Sequence, residues 1–287
     1  MDFDSFPAYK RENFERLMPV YLCDFHTHTR VSFDSEAALS EMMEAARRAG
    51  LQELCITDHC DLLDGDGAPT LTFPWPEALE QYRQRGASPV TVRLGLELGS
   101  APYDPQAARA VLAQAGEELD FVLGSLHNWI GAQDNRDFYF THFGDDPTLA
   151  HAAMENALTH TWALVTEYPD CYDSLAHIIY PLRYIQRDGG TLTLEPFRDQ
   201  VMEIFRQVAQ SHHALEVNTC RGLSLEEWLP ILRWFKACGG QFVTVGSDAH
   251  RPQHMALGIP QALELLRQAG FTYVTTYQGR RPVPHKL

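Results

Sequence analysis

The chain has 287 residues, of which 45% are hydrophobic and 21% charged, a composition typical of globular proteins and not of disordered ones. Its formal net charge of −15 argues against nucleic acid as the main partner, because an acidic surface repels polyanions. No run approaches the roughly 18 apolar residues of a membrane span, and the first residues lack the apolar core of a signal peptide. We therefore expect a cytoplasmic protein without a membrane partner, whose six scattered cysteines are reduced.

Short β-rich apolar runs alternate with amphipathic helical stretches along most of the chain. The predicted strands span residues 20–25, 53–57, 90–98, 121–125, 174–177, 214–218 and 242–246. The predicted helices span residues 36–49, 104–115, 148–166, 195–210 and 225–238. This alternation predicts an α/β fold with a parallel sheet, and seven strands suggest a barrel with one strand fewer than the usual eight.

Two stretches interrupt the alternation. Residues 60–88 form a loop-rich insertion, and residues 128–169 form an aromatic, acidic loop followed by a helix. Because no repeat or linker divides the chain, we expect one barrel domain over residues 20–287, preceded by a surface extension over residues 1–19. Long excursions after barrel strands are natural substrate walls. Four aromatic residues of the second insertion could enclose a substrate ring or simply pack on the barrel: Trp129, Phe138, Tyr139 and Phe140.

Side chains with metal-ligand chemistry follow the predicted strands at their carboxyl ends. In chain order they are His26, His28, Asp34, Asp58, His59, Glu97, His127, His177, Asn218, Asp248 and His250. In a parallel barrel these strand ends converge on the face that carries the active site. Imidazoles and carboxylates suit zinc, manganese or iron. The sequence therefore predicts a site for two or three divalent metal ions.

The spacing of these residues predicts how they share the ions. Residues two apart on a strand point the same way, so His26 with His28 can hold one ion. The same argument predicts that Asp248 and His250 hold one ion together. Glu97 is a natural bridging carboxylate between two ions.

The other polar residues receive supporting or structural roles. Asp58 and Asn218 are expected to orient ligands from behind rather than to bind metal, with Asp58 acting on His59 or its neighbours. The remaining histidines have no comparable placement at a strand end. We expect surface or packing roles for His142, His151, His160, His212, His213, His254 and His285.

The motifs DFHTHT, ITDHCD, GLELG, VLGSLHNW, SLAHI and GSDAH occur in this order and resemble the PHP (polymerase and histidinol phosphatase) metal-hydrolase family, most closely its stand-alone histidinol-phosphatases. The resemblance covers about residues 20–275. It implies a distorted seven-stranded β/α barrel with a three-metal centre. The implied ligand sets are His26, His28, Glu97 and Asp248; then Glu97, His127 and His177; then Asp34, His59 and His250. Asp34 departs from the family pattern, because some members have histidine there, which could change the metal preference or occupancy of the third site.

The resemblance also implies the reaction. It points to hydrolysis of a phosphate monoester, most closely L-histidinol phosphate in histidine biosynthesis, by a hydroxide generated at the metal centre. Glu97, Asp248 and His250 are the expected catalytic residues. A small phosphorylated substrate can approach this acidic chain because bound cations reverse the local charge.

Arginines are the expected phosphate ligands, because a guanidinium can bond two phosphate oxygens at once. Arg183 and Arg221 follow the ends of the fifth and sixth strands and are the main candidates, with Arg251 as a third. Each of them could instead be a surface ion-pair partner.

Three alternatives stay open at this point. An amidohydrolase also begins with an HxH motif, but many bridge their metals with a carboxylated lysine, and no lysine lies between Lys10 and Lys236. A PHP enzyme acting on another small phosphomonoester, or on a nucleotide phosphodiester as an exonuclease does, would use the same metals. A regulatory metal-binding protein without catalysis would be marked by a lost ligand, and none is missing.

Overall fold

The computed structural model describes residues 20–223 and 225–287, and the predicted extension over residues 1–19 lies outside them. The strands are β1 (Cys23–Asp24), β2 (Glu53–Ile56), β3 (His59–Asp61), β4 (Thr91–Gly99), β5 (Phe121–Ser125), β6 (Ser174–Leu175), β7 (Ala214–Asn218), β8 (Phe242–Gly246), β9 (Tyr273–Gln278) and β10 (Arg281–Lys286). The α-helices are α1 (Leu39–Arg48), α2 (Trp75–Arg83), α3 (Pro105–Ala115), α4 (Pro147–Glu167), α5 (Tyr180–Arg187), α6 (Arg198–Gln210), α7 (Trp228–Ala237) and α8 (Ile259–Gln268).

Seven strands form the predicted parallel barrel. β1, β2, β4, β5, β6, β7 and β8 pair side by side in that order, and each pair is parallel. The two end strands approach each other, because the Phe25 amide donates to the Val245 carbonyl at 2.9 Å and Thr27 forms a parallel bridge with Ala249. The sheet is therefore nearly closed, which confirms the predicted seven-stranded α/β barrel.

Two strands are shorter than predicted, and the longest strand pairs with two short ones on the same side. The nine-residue strand β4 pairs with β2 along its first half and with the unpredicted strand β3 along its second half. β3 begins at His59, one residue before the insertion predicted over residues 60–88, and that insertion also contains helix α2. β1 and β6 have only two residues each, so the polar residues that follow them lie in loops.

A carboxyl-terminal hairpin, which was not predicted, covers the amino ends of the strands. β9 and β10 pair antiparallel. The Tyr277 hydroxyl donates to the Asp173 carbonyl at 3.1 Å, and the Arg280 amide donates to the Asp120 carbonyl at 2.8 Å, just before β6 and β5 respectively. The Tyr277 ring also packs on Phe121, with ring centroids 4.9 Å apart. The polar site lies at the opposite end of the barrel, where the strands terminate.

Helices surround the barrel and begin at recognisable caps. Asp104 accepts a hydrogen bond from the Ala107 amide at 2.9 Å, and Asp146 accepts from the Thr148 and Leu149 amides, so each aspartate satisfies free donors in the first turn of its helix. Over the described ranges, no helix combines the length and apolarity needed to cross a membrane.

Candidate metal centre

All nine predicted ligands meet at the carboxyl end of the barrel. Ring nitrogens and carboxylate oxygens form overlapping groups whose atoms lie within 4.8 Å of one another. Asp34 joins them through its contacts with His59 and His250. His26, His28 and Glu97 have no solvent-accessible surface, whereas the Asp34 side chain is 38% exposed. The nine are His26, His28, Asp34, His59, Glu97, His127, His177, Asp248 and His250.

The first group joins the ends of β1, β4 and β8. His26 Nε2 lies 3.0 Å from Glu97 Oε2 and 3.6 Å from Asp248 Oδ1. His28 Nε2 lies 3.6 Å and 3.5 Å from the same two oxygens. Ligand atoms about 2.0–2.1 Å from a tetrahedral zinc ion lie about 3.3 Å from one another. The four side chains therefore have the spacing of one metal site.

The second group uses the other oxygen of Glu97. Its Oε1 atom lies 2.8 Å from His177 Nε2 and 3.2 Å from His127 Nε2, and those two nitrogens are 3.5 Å apart. Glu97 thus offers Oε2 to the first group and Oε1 to the second. This is the geometry of a bridging carboxylate.

The third group lies nearer to solvent. Asp34 Oδ2 is 2.9 Å from His250 Nε2 and 3.7 Å from His59 Nε2. The His28 ring stacks between the other two imidazoles, with centroids 4.3 Å from His59 and 4.0 Å from His250. His28 therefore connects the first group to the third.

The predicted pairing of Asp248 with His250 on one ion stays a prediction, because His250 Nδ1 lies 3.6 Å from Asp248 Oδ1 whereas His250 Nε2 faces Asp34. Asp248 contributes to the first group and His250 to the third. The alternation argument assumed an extended backbone, but β8 ends at Gly246 and Asp248 has a φ of 61°. Strand alternation therefore does not apply to these two side chains, although they remain neighbours.

Burial and charge favour the protonation states that bind metal, which are a neutral His28 and an ionised Glu97. Burial, with His250 and His59 nearby, lowers the pKa of His28 to about 3, and its Nε2 atom is buried without a hydrogen-bond partner in the described chain. Burial alone would raise the pKa of Glu97, but His26, His59 and His127 hold it well below its usual value. A neutral imidazole with an unused lone pair beside an ionised carboxylate fits a divalent cation. The residues present therefore fit a metal centre.

Two carboxylates that were not predicted, the buried Glu216 and the partly buried Asp61, orient the histidines through their Nδ1 atoms. Glu216 Oε1 lies 2.6 Å from His26 Nδ1, and its Oε2 accepts a hydrogen bond from the His177 amide at 2.9 Å. Asp61 Oδ1 lies 2.7 Å from His127 Nδ1. A carboxylate that accepts the Nδ1 proton fixes the tautomer and leaves Nε2 free to bind metal.

Both missed residues could have been found from strand alternation. Glu216 lies two residues before Asn218 on β7, and Asp61 lies two residues after His59 on β3. Residues two apart on a strand face the same side. A search for polar residues two positions before and two positions after each predicted ligand would have found both Glu216 and Asp61.

Asp58, predicted to orient His59 or its neighbours, reaches both His28 and His59 through Ser32. Its carboxylate accepts hydrogen bonds from the Thr29 amide and hydroxyl and from the Ser32 hydroxyl. The Ser32 oxygen in turn lies 3.1 Å from His28 Nδ1 and accepts a hydrogen bond from the His59 amide at 3.0 Å. Ser32 is therefore a further unpredicted member of this network.

Asn218 and Arg183 lie together at the edge of the first group. Asn218 Oδ1 accepts a hydrogen bond from Arg183 Nη2 at 2.7 Å, while its Nδ2 lies 3.1 Å from His26 Nδ1. Arg183 Nη1 donates to Asp248 Oδ2 at 3.3 Å. The buried Arg183 Nε has no hydrogen-bond partner among the described residues. A guanidinium with a free donor is thus fixed beside the predicted ligands.

The other two predicted arginines are less closely tied to the centre. Arg221 is exposed, and its guanidinium rests on the Cys220 sulfur at 3.7 Å. Arg251 is also exposed. In residues 20–223 and 225–287, no hydrogen bond or ion pair joins either side chain to the nine predicted ligands.

The aromatic residues of the second insertion divide into two groups. Trp129 and Phe138 are buried and contact each other, with centroids 5.1 Å apart, so they pack the insertion onto the barrel. Tyr139 and Phe140 are 51% and 50% exposed. Only the second pair is available to enclose a substrate.

The seven histidines expected to be structural do not join the three groups. His285, for example, stacks on Tyr21 at the amino end of the barrel with centroids 3.6 Å apart. His213 packs edge-on against Tyr172 at 4.4 Å. His142, His151, His160, His212 and His254 likewise lie outside the groups of metal-ligand atoms.

A nearly closed parallel barrel with clustered histidines and carboxylates at its strand ends defines a metal-binding α/β-barrel enzyme. The particular family follows from comparison with known proteins. Residues 24–220 match the PHP domain, and the chain belongs to this family.

Curated relatives are similar over nearly their full lengths. The histidinol-phosphatase of Lactococcus lactis subsp. lactis is 26% identical over 264 residues, which cover 90% of this chain and 95% of that protein. A probable histidinol-phosphatase of Clostridium acetobutylicum is 28% identical over 250 residues, covering 84% and 91% respectively. The crystal structure of the Lactococcus lactis histidinol phosphate phosphatase complexed with zinc, L-histidinol and phosphate superposes with a TM-score of 0.79 and 26% identity over 92% of this chain and 99% of that one.

Proposed function

We propose that this protein is a metal-dependent phosphomonoesterase that hydrolyses L-histidinol phosphate to L-histidinol and phosphate. The observation that carries the proposal is Glu97, whose Oε2 faces three histidine nitrogens and whose Oε1 faces two, all within 3.6 Å. The similarity to histidinol-phosphatases over nearly their whole length supports the choice of substrate.

The three groups described above are the proposed ligand sets for two or three divalent ions. Zinc is the first choice, because the Lactococcus lactis enzyme was crystallised with zinc. Manganese and iron suit the same nitrogen and oxygen donors. When bound, such ions would lower the pKa of a coordinated water and screen the charge of the phosphate.

Arg183 is the proposed phosphate ligand. Its contacts with Asn218 Oδ1 and Asp248 Oδ2 fix the guanidinium, so little side-chain entropy is lost when substrate binds. Its Nε donor is free of protein partners in the described part of the chain, so it can bond a phosphate oxygen. Arg221 is a second candidate, whose exposed guanidinium would have to turn towards the site.

Asp248 is the proposed group for moving a proton, and His250 is the proposed catalytic residue beside it. Asp248 faces the first set through Oδ1 and Arg183 through Oδ2, so it lies between the proposed ligands and the proposed phosphate position. There it can accept a proton from an attacking water. His250 Nδ1 lies 3.0 Å from the Asp248 carbonyl, which fixes the ring and directs Nε2 towards Asp34.

The test is phosphate release by the metal-loaded protein from a panel of esters. The panel contains L-histidinol phosphate, nucleotides, a phosphotyrosine peptide and a chromogenic phosphodiester. We expect kcat/KM for L-histidinol phosphate to exceed the others by about 100-fold or more, since specificity is a ratio of these constants. If L-histidinol phosphate is no better than the other esters, the substrate assignment is wrong, even if the metal chemistry is right.

A further inference from the structure

Asp24 is a buried carboxylate that the proposed chemistry does not use. It ends strand β1, is 0% exposed and lies two residues before the proposed ligand His26. A carboxylate loses its hydration on burial, so it must accept hydrogen bonds from the protein instead. Its donors are backbone amides, and two of them come from the segment that follows β8.

We call this segment, residues 247–258 between β8 and helix α8, the β8 loop. It carries Asp248 of the first ligand set and His250 of the third. The loop consists of turns and one short 3-10 helix, Pro252–His254. The positions of both proposed ligands therefore depend on the contacts that the loop makes with its surroundings.

Asp24 attaches the β8 loop to β1 on both sides of the two ligands. Its Oδ1 accepts from the Ser247 amide at 2.9 Å and from the His26 amide at 3.4 Å, while its Oδ2 accepts from the Ala256 amide at 3.1 Å. Because Ser247 precedes the two ligands and Ala256 follows them, one side chain holds both ends of the segment that carries them.

The backbone after β1 attaches the first part of the same loop. The Asp248 amide donates to the His26 carbonyl at 2.9 Å, and the His28 amide donates to the Ala249 carbonyl at 2.9 Å. The Asp24 side chain reaches further along the loop, because its Oδ2 holds Ala256.

The two attachment points coincide with left-handed backbone. Ala256 has a φ of 60°, and Ser247 directly precedes Asp248, whose φ is 61°. This region is unfavourable for a residue with a Cβ atom, so it persists only where surrounding contacts determine it. The two oxygens of Asp24 supply a contact at each position. Asp24 thus stabilises the loop conformation in which Asp248 and His250 face the other proposed ligands.

We propose that Asp24 is a positioning residue of the metal centre, which holds the β8 loop against β1 and so places Asp248 and His250. The inference rests on the proposed function, because these two side chains are proposed ligands. It implies a selective effect, since the first and third sets include loop residues. The second set has none, because its members are Glu97, His127 and His177.

The experiment measures zinc bound after dialysis in wild type, Asp24→Asn and the control Asp173→Asn. In Asp24→Asn one oxygen becomes an NH2 group, which cannot accept from the amide that it faces. Asp173 is a buried aspartate at the amino end of the barrel that accepts the Val122 amide at 2.8 Å, so its substitution is chemically matched. We expect Asp24→Asn to bind zinc about 10–100-fold more weakly in the first and third sets and to keep the ion of the second. Asp173→Asn should keep the wild-type zinc content.

Amide hydrogen exchange of the metal-free proteins gives a readout that does not depend on metal binding. In Asp24→Asn, exchange of the Ser247 or Ala256 amide should become about tenfold faster or more, because one of them loses its acceptor. Exchange of the amides in β5 should stay unchanged.

A second substitution tests the link to the left-handed backbone. Glycine adopts positive φ readily, so Ala256→Gly reduces the need for a contact at that position. The double variant Asp24→Asn/Ala256→Gly should bind zinc about threefold or more tightly than Asp24→Asn. If it binds no more tightly, the inference is contradicted.

The outcomes separate the two proposals. Zinc content and phosphate release of wild type test the proposed function, and if wild type binds no zinc, the exchange rates alone decide on Asp24. Wild-type zinc content and exchange in Asp24→Asn overturn its assignment. An equal loss of zinc in Asp173→Asn, or loss of the second-set ion in Asp24→Asn, also overturns it. So does failure of Asp24→Asn and the double variant to fold where Asp173→Asn folds, because the proposed effect is confined to the loop.

Discussion

Glu216 offers a direct test of how the protein supports its proposed metal ligands. One of its oxygens lies 2.6 Å from His26 Nδ1, and the other accepts the His177 amide at 2.9 Å. In Glu216→Gln, the amide group keeps one acceptor but turns an NH2 group towards one of the two donors. Because His26 and His177 belong to different ligand sets, this one substitution should disturb both sets.

Removing a carboxylate behind a ligating histidine typically costs 10–100-fold in metal affinity. Since Glu216 serves two sets, we expect a loss of about 100-fold in zinc affinity, which corresponds to about 2.7 kcal/mol. The assay is competition between the metal-free protein and a chromogenic chelator. Glu53→Gln is the matched control, because Glu53 is an equally buried strand carboxylate whose partners are Tyr21 and Arg93 at the other end of the barrel.

Two results would refute this reasoning. The first is a zinc affinity of Glu216→Gln within about twofold of wild type, well below the expected effect. The second is an equal loss in Glu53→Gln, which would attribute the effect to a general disturbance of the barrel.

Three further predictions follow from other parts of the structure. Arg183→Lys should lower kcat/KM about 100-fold at unchanged zinc content, because one ammonium nitrogen cannot occupy the separate positions of Nη1, Nη2 and Nε; unchanged kinetics would contradict this. Asp61→Asn should selectively weaken zinc binding by the sets that contain His127 and His59, leaving fewer ions per chain by elemental analysis. Burial and nearby Arg280 lower the pKa of His213 to about 4, so its unfolded form binds the extra proton between about pH 6.5 and 4 and stability is lost as pH falls. From pH 7 to 5, metal-free wild type should lose about 2 kcal/mol more unfolding free energy than His213→Gln in urea titrations, and equal losses would exclude this role.

The sequence was sufficient to locate the centre because the ligands follow short buried strands. His26 and His28 flank Thr27, which forms a sheet bridge, so the alternation rule holds and both reach one group. Glu97 lies near the end of a continuous nine-residue strand, where its depth in the barrel could be inferred. Burial of parallel strands on both faces makes such runs easy to recognise.

What could not be predicted depends on loop conformation and on contacts between distant segments. The backbone at Asp248 is left-handed, so strand alternation stops there, and no pattern in GSDAH indicates this. The contact between Asp137 and Tyr180 joins residues 43 positions apart. Such pairs are specified by how the insertion after β5 folds onto α5, which local patterns do not encode.

The central claim is that Glu97 bridges metal ions that act on a phosphate monoester. Zinc content after dialysis, measured with phosphate release from L-histidinol phosphate, tests it most directly in wild type, Glu97→Gln and the control Glu53→Gln. We predict two to three ions per chain and activity in wild type and the control. Because Glu97 belongs to two of the three sets, Glu97→Gln should keep at most one ion and lose activity. Wild-type zinc content and phosphate release in Glu97→Gln would contradict the account.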